Sequence, residues 1–169
     1  GNPMMDGFQT SPIPASLNGL RRLLLLPGSR APEARRNLRR LLKALPPSSE
    51  HVLLLACGQQ PDDASLRTLM EPLGYQSTTI PAGSEADAAW RGPGGLLLLG
   101  RGRFETWGPW AELGLACAGT AIEQLVGLGC PALSLPGQGP QFKRGFAERQ
   151  SRLDRKSTRL NSSHRCISY

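Results

Sequence analysis

The run Leu115-Ala116-Cys117-Ala118-Gly119-Thr120-Ala121-Ile122-Glu123-Gln124-Leu125 is where residue type and spacing point most directly to chemistry. It reads as a buried strand, a tight turn of small residues and a helix that begins at the turn. The first backbone N–H groups of a helix lack partners within it, so a helix start above a strand end is a ready anion site. Thr120 adds a hydroxyl donor. Glu123, within the first helical turn, offers a carboxylate to two neighbouring hydroxyls such as a ribose presents. Phosphate donors with a ribose-facing acid describe half of a nucleotide-sugar pocket. The same residues also make an ordinary strand–helix junction, with a capping Thr and a Glu that suits the helix dipole. The run alone leaves both readings open.

The elements that must hold such a pocket follow from the apolar pattern. Strands are expected at 22–26, 51–57, 75–80, 95–99, 112–118 and 131–135, and helices at 32–45, 62–73, 121–128 and 141–153. A short helix is expected at 85–90, and 101–110 is a connection with two tryptophans. In the first helix Leu38, Leu41, Leu42 and Leu45 share one face, and Arg35, Arg36, Arg39, Arg40 and Lys43 cover the others. Pro32 suits that helix's first turn. Near-continuous Val and Leu in the strands, alternating with helices, argue for an α/β fold. Its architecture is a Rossmann-like open parallel sheet with helices on both faces. Ligands on such sheets sit beyond the carboxyl ends of the strands where the strand order switches.

That rule points to three loops. Leu26-Pro27-Gly28-Ser29-Arg30 combines a sharp turn at Gly28, a hydroxyl at Ser29 that can also cap the next helix, and a guanidinium at Arg30 that matches phosphate. Ala118-Gly119-Thr120, with Glu123, is the second. Leu135-Pro136-Gly137-Gln138-Gly139-Pro140-Gln141-Phe142 is the third, where Gln138 and Gln141 face hydroxyls or phosphate from a Pro/Gly-held loop. Each is also readable as a plain turn. No acid–base set accompanies them: His51 starts a strand remote from the loops, and Glu105 and Glu112 lie in or beside the tryptophan connection. The catalytic residues are therefore unassigned. The chain is equipped to hold a phosphate leaving group but not to deprotonate an acceptor.

Bulk properties narrow the class. The 169 residues suit one domain with a real core. The beginning at Gly1-Asn2-Pro3 is expected to be internal to a longer protein, with 1–20 a Pro/Gly/Ser-rich linker and 21–153 the domain. The stretch 154–169 is expected to be a non-native or disordered tail. From Lys156 onward it has no apolar period and resembles translated cloning-adapter read-through. Three of the 20 Lys and Arg residues (Lys156, Arg159, Arg165) and none of the 13 acids lie from Lys156 on, so without them the net charge falls from +7 to +4. The densest cluster of what remains is the Arg35, Arg36, Arg39, Arg40 and Lys43 set in one helix. That is weak support for nucleic acid, and it suits phosphate-bearing ligands or an anionic membrane surface. Cys57, Cys117 and Cys130 fit no metal spacing and read as small buried residues of a reducing compartment. No apolar stretch approaches the length of a membrane span.

At these residues the chain resembles the lipid-A-disaccharide synthase-related family, among glycosyltransferases of the two-domain B-type fold. The matching pieces are Gly1-Asn-Pro-Met-Met-Asp-Gly7, Leu26-Pro-Gly-Ser-Arg30, Ala118-Gly-Thr-Ala-Ile-Glu-Gln124 and Leu135-Pro-Gly-Gln-Gly-Pro-Gln-Phe142. The likeness implies that 21–153 is the C-terminal, donor-binding domain and that a missing N-terminal domain takes the acceptor. It implies a UDP-sugar donor, with Gly28, Ser29 and Arg30 near the pyrophosphate, Gly119 and Thr120 on phosphate, Glu123 on the ribose, and Gln138 and Gln141 near the donor sugar or phosphate. No metal and no cofactor are expected, because fixed N–H donors and Arg30 stabilise the leaving diphosphate. A lipid acceptor, a cytoplasmic location and peripheral contact with the cytoplasmic membrane face follow from the same likeness. The fragment is expected to bind UDP and to be inactive alone, its general base coming from the other half.

Other classes stay open from sequence. Half of a UDP-sugar 2-epimerase shares the fold but needs acid and base residues around the sugar. A non-catalytic UDP-sugar-binding or regulatory module keeps the pocket without the chemistry. A nucleic-acid partner is not expected, since aromatics are few and not interleaved with the Arg cluster.

Overall fold

Consecutive leucines at 23–26, 53–55 and 96–99 form the middle of one sheet. The computed structural model describes residues 11–117 and 119–135, of which 119–121 are described by their backbone. The strands are β1 (Arg21–Leu26), β2 (His51–Cys57), β3 (Gln76–Ser77), β4 (Ala88–Gly92), β5 (Gly95–Arg101), β6 (Leu113–Ala116) and β7 (Ala132–Ser134). The helices are α1 (Glu33–Ala44), α2 (Asp63–Met70), α3 (Phe104–Trp107) and α4 (Gly119–Gly127). The seven strands lie in the order β3-β4-β5-β2-β1-β6-β7. Strands β5, β2, β1, β6 and β7 are mutually parallel, while β4 runs antiparallel to both β5 and β3. The parallel strands, taken in chain order, stand 3-2-1-4-5, the doubly wound arrangement, and the order reverses between β1 and β6.

Alternate residues of each strand feed two separate cores, as a period of two requires. Leu23, Leu25, Leu53, Leu55, Leu97 and Leu99 pack with Leu38, Leu41 and Leu42 of α1 and Leu66, Leu69 and Met70 of α2. Leu24, Leu26, Val52, Leu54, Leu96 and Leu98 face the other way, onto Leu17, Trp107, Trp110 and Leu125 of α4. Each fully buried leucine contributes roughly 1.5–3 kcal/mol of transfer free energy, so the double burial of the central strands is the main stabilising term. The tryptophans keep their polar edges satisfied: Trp107 Nε1 donates to the Ser84 carbonyl at 3.0 Å and Trp110 Nε1 to the Ser11 carbonyl at 2.9 Å.

The structure departs from the sequence expectations in four places. Residues 85–90, expected as a short helix, instead lead into β4, which pairs with β5 from Ala88↔Leu99 to Gly92↔Gly95 across a two-residue Pro93-Gly94 turn. The sheet is therefore mixed rather than wholly parallel. Cross-strand pairing has overridden the helical preference of the alanines. The strand expected at 75–80 shrinks to β3, because Tyr75 is buried beneath the hairpin, where its hydroxyl accepts from the Gly94 N–H at 3.2 Å. Ser29 does not cap α1: Pro32 holds the cap position and no side chain caps it. Finally, residues 11–20, assigned by composition to a linker, are docked on the domain. Leu17 is wholly buried, and Ser16 Oγ donates to the Ala82 carbonyl at 2.9 Å. The helix expected at 141–153, the tail at 154–169 and residues 1–10 lie outside the described residues.

Two glycines in the left-handed region separate backbone strain from crowding. Gly95 has φ +118°, and a Cβ there would collide with the His51 carbonyl across the β5–β2 pairing. Gly28 has φ +99°, but a Cβ would meet nothing within 4 Å. Gly95→Ala should destabilise by about 3 kcal/mol or more, from strain plus a clash with immovable backbone. Gly28→Ala should cost only about 1–2 kcal/mol, the strain alone. Urea unfolding monitored by tryptophan fluorescence measures both, and equal costs would contradict this ranking.

Candidate functional site

The site is built where β1 and β6 part. Their registers run from Leu23↔Leu113 to Leu26↔Ala116, and the Cys117 N–H extends the ladder to the Leu26 carbonyl at 2.9 Å. On the far side of β6, β7 pairs to Ala116↔Ser134, and the Leu135 N–H donates to the Ala116 carbonyl at 3.0 Å. The segments after β1, β6 and β7 therefore leave the same edge of the sheet side by side. From there the chain diverges: α1 covers one face and α4 the other. An open crevice at such a divergence is the usual ligand position in doubly wound sheets.

The loop after β1 has a buried base and an open rim. Pro27 is buried, while Ser29 and Arg30 are exposed. Gly28 supplies the positive φ that turns the chain, with free space where a side chain would stand. The Arg30 carbonyl accepts the Ala34 N–H at 2.8 Å, tying the loop to the first turn of α1. Beneath it lies a residue that the sequence reading passed over. Asn37, buried on the apolar face of α1, donates from Nδ2 to the Pro27 carbonyl at 2.9 Å. A lone amide among Ala34, Leu38 and Leu41 was the available signal, since a buried polar side chain in a helix must find a partner.

The loop after β6 runs into α4 directly. The helix begins at Gly119, two residues earlier than the apolar period suggested, so Gly119 and Thr120 form its first positions. Its opening turn begins at Gly119, with two residues between it and the carboxyl end of β6, the strand paired to β1, and the first N–H groups of a helix have no partner within it. Because the helix starts earlier, Glu123 is its fifth residue rather than a first-turn acid, and its side chain is exposed. Cys117, just past the end of β6, is buried in the core on the α1 face, and burial pushes its thiol up to about 11, Arg40 pulling the other way. Residue 118 and the loop carrying Gln138 and Gln141 lie outside the described residues.

Other charged residues prove to be structural. Glu112 sits at the opposite, amino end of the β1–β6 pair, where its carboxylate accepts the Arg22 N–H at 2.8 Å. The Arg22 guanidinium bonds the Trp110 carbonyl at 2.8 Å and the Leu20 carbonyl at 3.0 Å. His51 begins β2 at that same remote end. Arg101, which the sequence reading did not single out, ends β5. Its guanidinium gathers the Gly58 and Pro61 carbonyls and the Asp63 carboxylate, fixing the loop between β2 and α2. Among the described residues no group of three or more His, Cys, Asp or Glu side chains is arranged to hold a metal ion. No helix among them is long and apolar enough to cross a membrane.

The strand order and the helices on both faces define an α/β domain with a doubly wound, mostly parallel sheet. No protein-family model matches the chain, and no curated protein shows significant similarity to it.

Two measurements check this construction. Asn37→Ala leaves the buried Pro27 carbonyl unsatisfied and should destabilise by about 1–3 kcal/mol. Amide exchange should report loosening first in the segment after β1, and a variant as stable as the parent would remove Asn37 from the site's framework. The second concerns pH. Burial raises both Cys57 and Cys117 from 9.0 to about 11. The unfolded chain thus loses these protons at lower pH than the folded one, and stability should fall as pH rises through that window. Replacing both with alanine should flatten the slope of unfolding free energy between about pH 9 and about pH 11, even if it lowers stability overall.

Proposed function

We propose that this chain is the donor-binding half of a glycosyltransferase that moves a sugar from a UDP-sugar to an acceptor hydroxyl, with the architecture of the C-terminal domain of a two-domain B-type fold. The observation that carries the reading is the convergence of the β1 loop and the α4 start at the strand-order reversal. One loop offers a phosphate-matching guanidinium on an open, glycine-turned rim, and the other offers unpaired helix N–H groups. In this reading Gly28, Ser29 and Arg30 meet the diphosphate, Gly119 and Thr120 hold phosphate, and Glu123 receives the ribose hydroxyls. Gln138 and Gln141, outside the described residues, would lie near the donor sugar or phosphate in the same reading.

Transfer breaks the bond between the sugar's anomeric carbon and the diphosphate oxygen, and negative charge builds on the departing UDP. Preorganised donors aimed at that charge lower the barrier, which is the service that Arg30 and the α4 N–H groups would supply. The acceptor's proton must go to a base in the partner half, so this chain alone binds donor without transferring sugar. A lipid acceptor and a cytoplasmic, membrane-peripheral location belong to the same proposal.

Calorimetric titration of UDP into the full chain, with AMP as competitor nucleotide, tests it. UDP should bind selectively, and Arg30→Ala and Glu123→Ala should each weaken binding by about tenfold, the worth of one charge-assisted hydrogen bond. Equal affinity for AMP, or no binding by a chain shown to be folded, would remove the donor-site reading.

A further inference from the structure

We infer that a groove at the amino edge of the sheet binds a short zwitterionic peptide by its two charged ends, independent of what the crevice at the carboxyl edge holds. The groove lies between the loop from α1 to β2 and the turn of the β4–β5 hairpin. Ser48, Ser49, Glu50, Arg91 and Pro93 are among the residues that line it, and its volume is about 580 Å³. That is the size of an ordinary small-molecule site. Its two walls are tied together: the Ser48 N–H donates to the Pro93 carbonyl at 2.8 Å. On one wall the Glu50 N–H donates to Ser48 Oγ at 3.1 Å, and the Glu50 carbonyl accepts the Arg21 N–H at 2.8 Å. On the other the Tyr75 hydroxyl holds the Gly94 N–H. A groove fixed in this way gives up little conformational freedom when a ligand enters.

Strand register places the charges. Arg91 stands opposite Leu96 of β5, and Leu96 opposite Val52 of β2, so the three share one face of the sheet. Glu50, two residues before Val52, shares that face as well. Two strand spacings across the sheet and two residues along it put the Arg91 and Glu50 Cα atoms about 12 Å apart. Both side chains are exposed, and among the described residues neither has an ion-pair partner. A cation and an anion set apart on the two walls of one groove match a ligand with the opposite charges at its two ends. The Arg91 fork suits a carboxylate, and Glu50 accepts from an ammonium. The exposed Ser49 hydroxyl adds a neutral donor and acceptor beside Glu50. Three extended residues span about 10 Å, a distance that the two side chains meet from either end. A diphosphate, in contrast, would set its charge against Glu50, which separates this groove from the crevice in ligand chemistry.

Amide NMR shifts of the full chain titrated with triglycine test the inference. The comparison ligand is N-acetyl-triglycine amide, which keeps the length and loses both charges. Triglycine should shift the amides of Ser48, Ser49, Glu50, Arg91 and Gly92 and leave those of Gly28, Ser29 and Arg30 in place. The blocked peptide should shift none of them. Arg91→Gln and Glu50→Gln should each weaken triglycine binding about tenfold, the worth of one charge-assisted hydrogen bond. Arg91→Lys keeps the charge without the fork and should lose less than Arg91→Gln. Arg67→Gln, which removes an exposed cation elsewhere, should bind like the parent. Both positions are exposed, and the same spectra report whether each variant is folded. No shifts at the groove, equal binding of the blocked peptide, or parental affinity in folded Arg91→Gln and Glu50→Gln would each overturn the assignment.

Discussion

Two parallel neighbours whose following helices leave toward opposite faces cannot both be roofed at their carboxyl ends, and the rest of the structure depends on that constraint. β1 is followed by α1 on the face of Leu23 and Leu25, and β6 by α4 on the face of Leu24 and Leu26. The gap between them is a consequence of the winding. The register from Leu23↔Leu113 to Leu26↔Ala116 determines which backbone atoms border it. A slip of one residue would turn every side chain of β1 to the wrong face, moving Leu24 and Leu26 into the α1 layer. The Arg22–Glu112 ion pair, at 3.8 Å with its carboxylate open to solvent, adds little energy by itself. Its value is positional, because Arg22 also bonds backbone on both sides of the pair.

Leucine runs buried on both faces are stabilising but undiscriminating, since one Leu packs much as the next. The polar contacts supply what they lack. Asn37 fixes the Pro27 loop to α1, Arg101 fixes the Gly58–Pro61 segment to α2, and the indole N–H groups fix the Ser84 and Ser11 segments to the tryptophan connection. Each ties down a loop, Asn37 from ten residues away and the others from much further along the chain. Each also gives a buried or half-buried donor a partner it would be costly to lose. The loops at the carboxyl edge are thereby held by the frame while their rims, Ser29 and Arg30 above all, remain open to solvent.

The parallel part of this design was legible because its strands are long, apolar and separated by helices whose faces repeat at 3.6 residues. β1, β2, β5 and α1 appear where the pattern puts them, and the rule about strand ends brings the first two loops together. The antiparallel edge was not legible by the same means. Glu85 to Trp90 is rich in alanine and reads as helix locally. Its partner is β5, and only the Gly92-Pro93-Gly94-Gly95 punctuation hinted at a hairpin. Residues 11–20 misled for the opposite reason: their composition is that of a linker, and buried Leu17, with Ile13 and Leu20 packed against the same cluster, commits them to the core. Gly28 and Arg30 lie in the loop after β1, where the strand pattern puts that loop. The exact helix start, and with it Glu123's distance from the opening turn, depended on backbone geometry that small residues leave undetermined.

α1 shows how much one helix can be asked to do once its faces are assigned separately. Its apolar stripe seals the core beside β1, and Asn37 in that stripe holds the crevice loop. Its outer face could have been tuned for helix stability, with Glu set four residues ahead of Lys or Arg. Three like-charge pairs at that spacing instead cost about 0.2–0.5 kcal/mol each, and cations near the helix start add a further small penalty. A core that buries the leucines of three neighbouring strands on both sides tolerates that loss easily. A stable sheet thus leaves the surface of its covering helix free to meet requirements unrelated to folding.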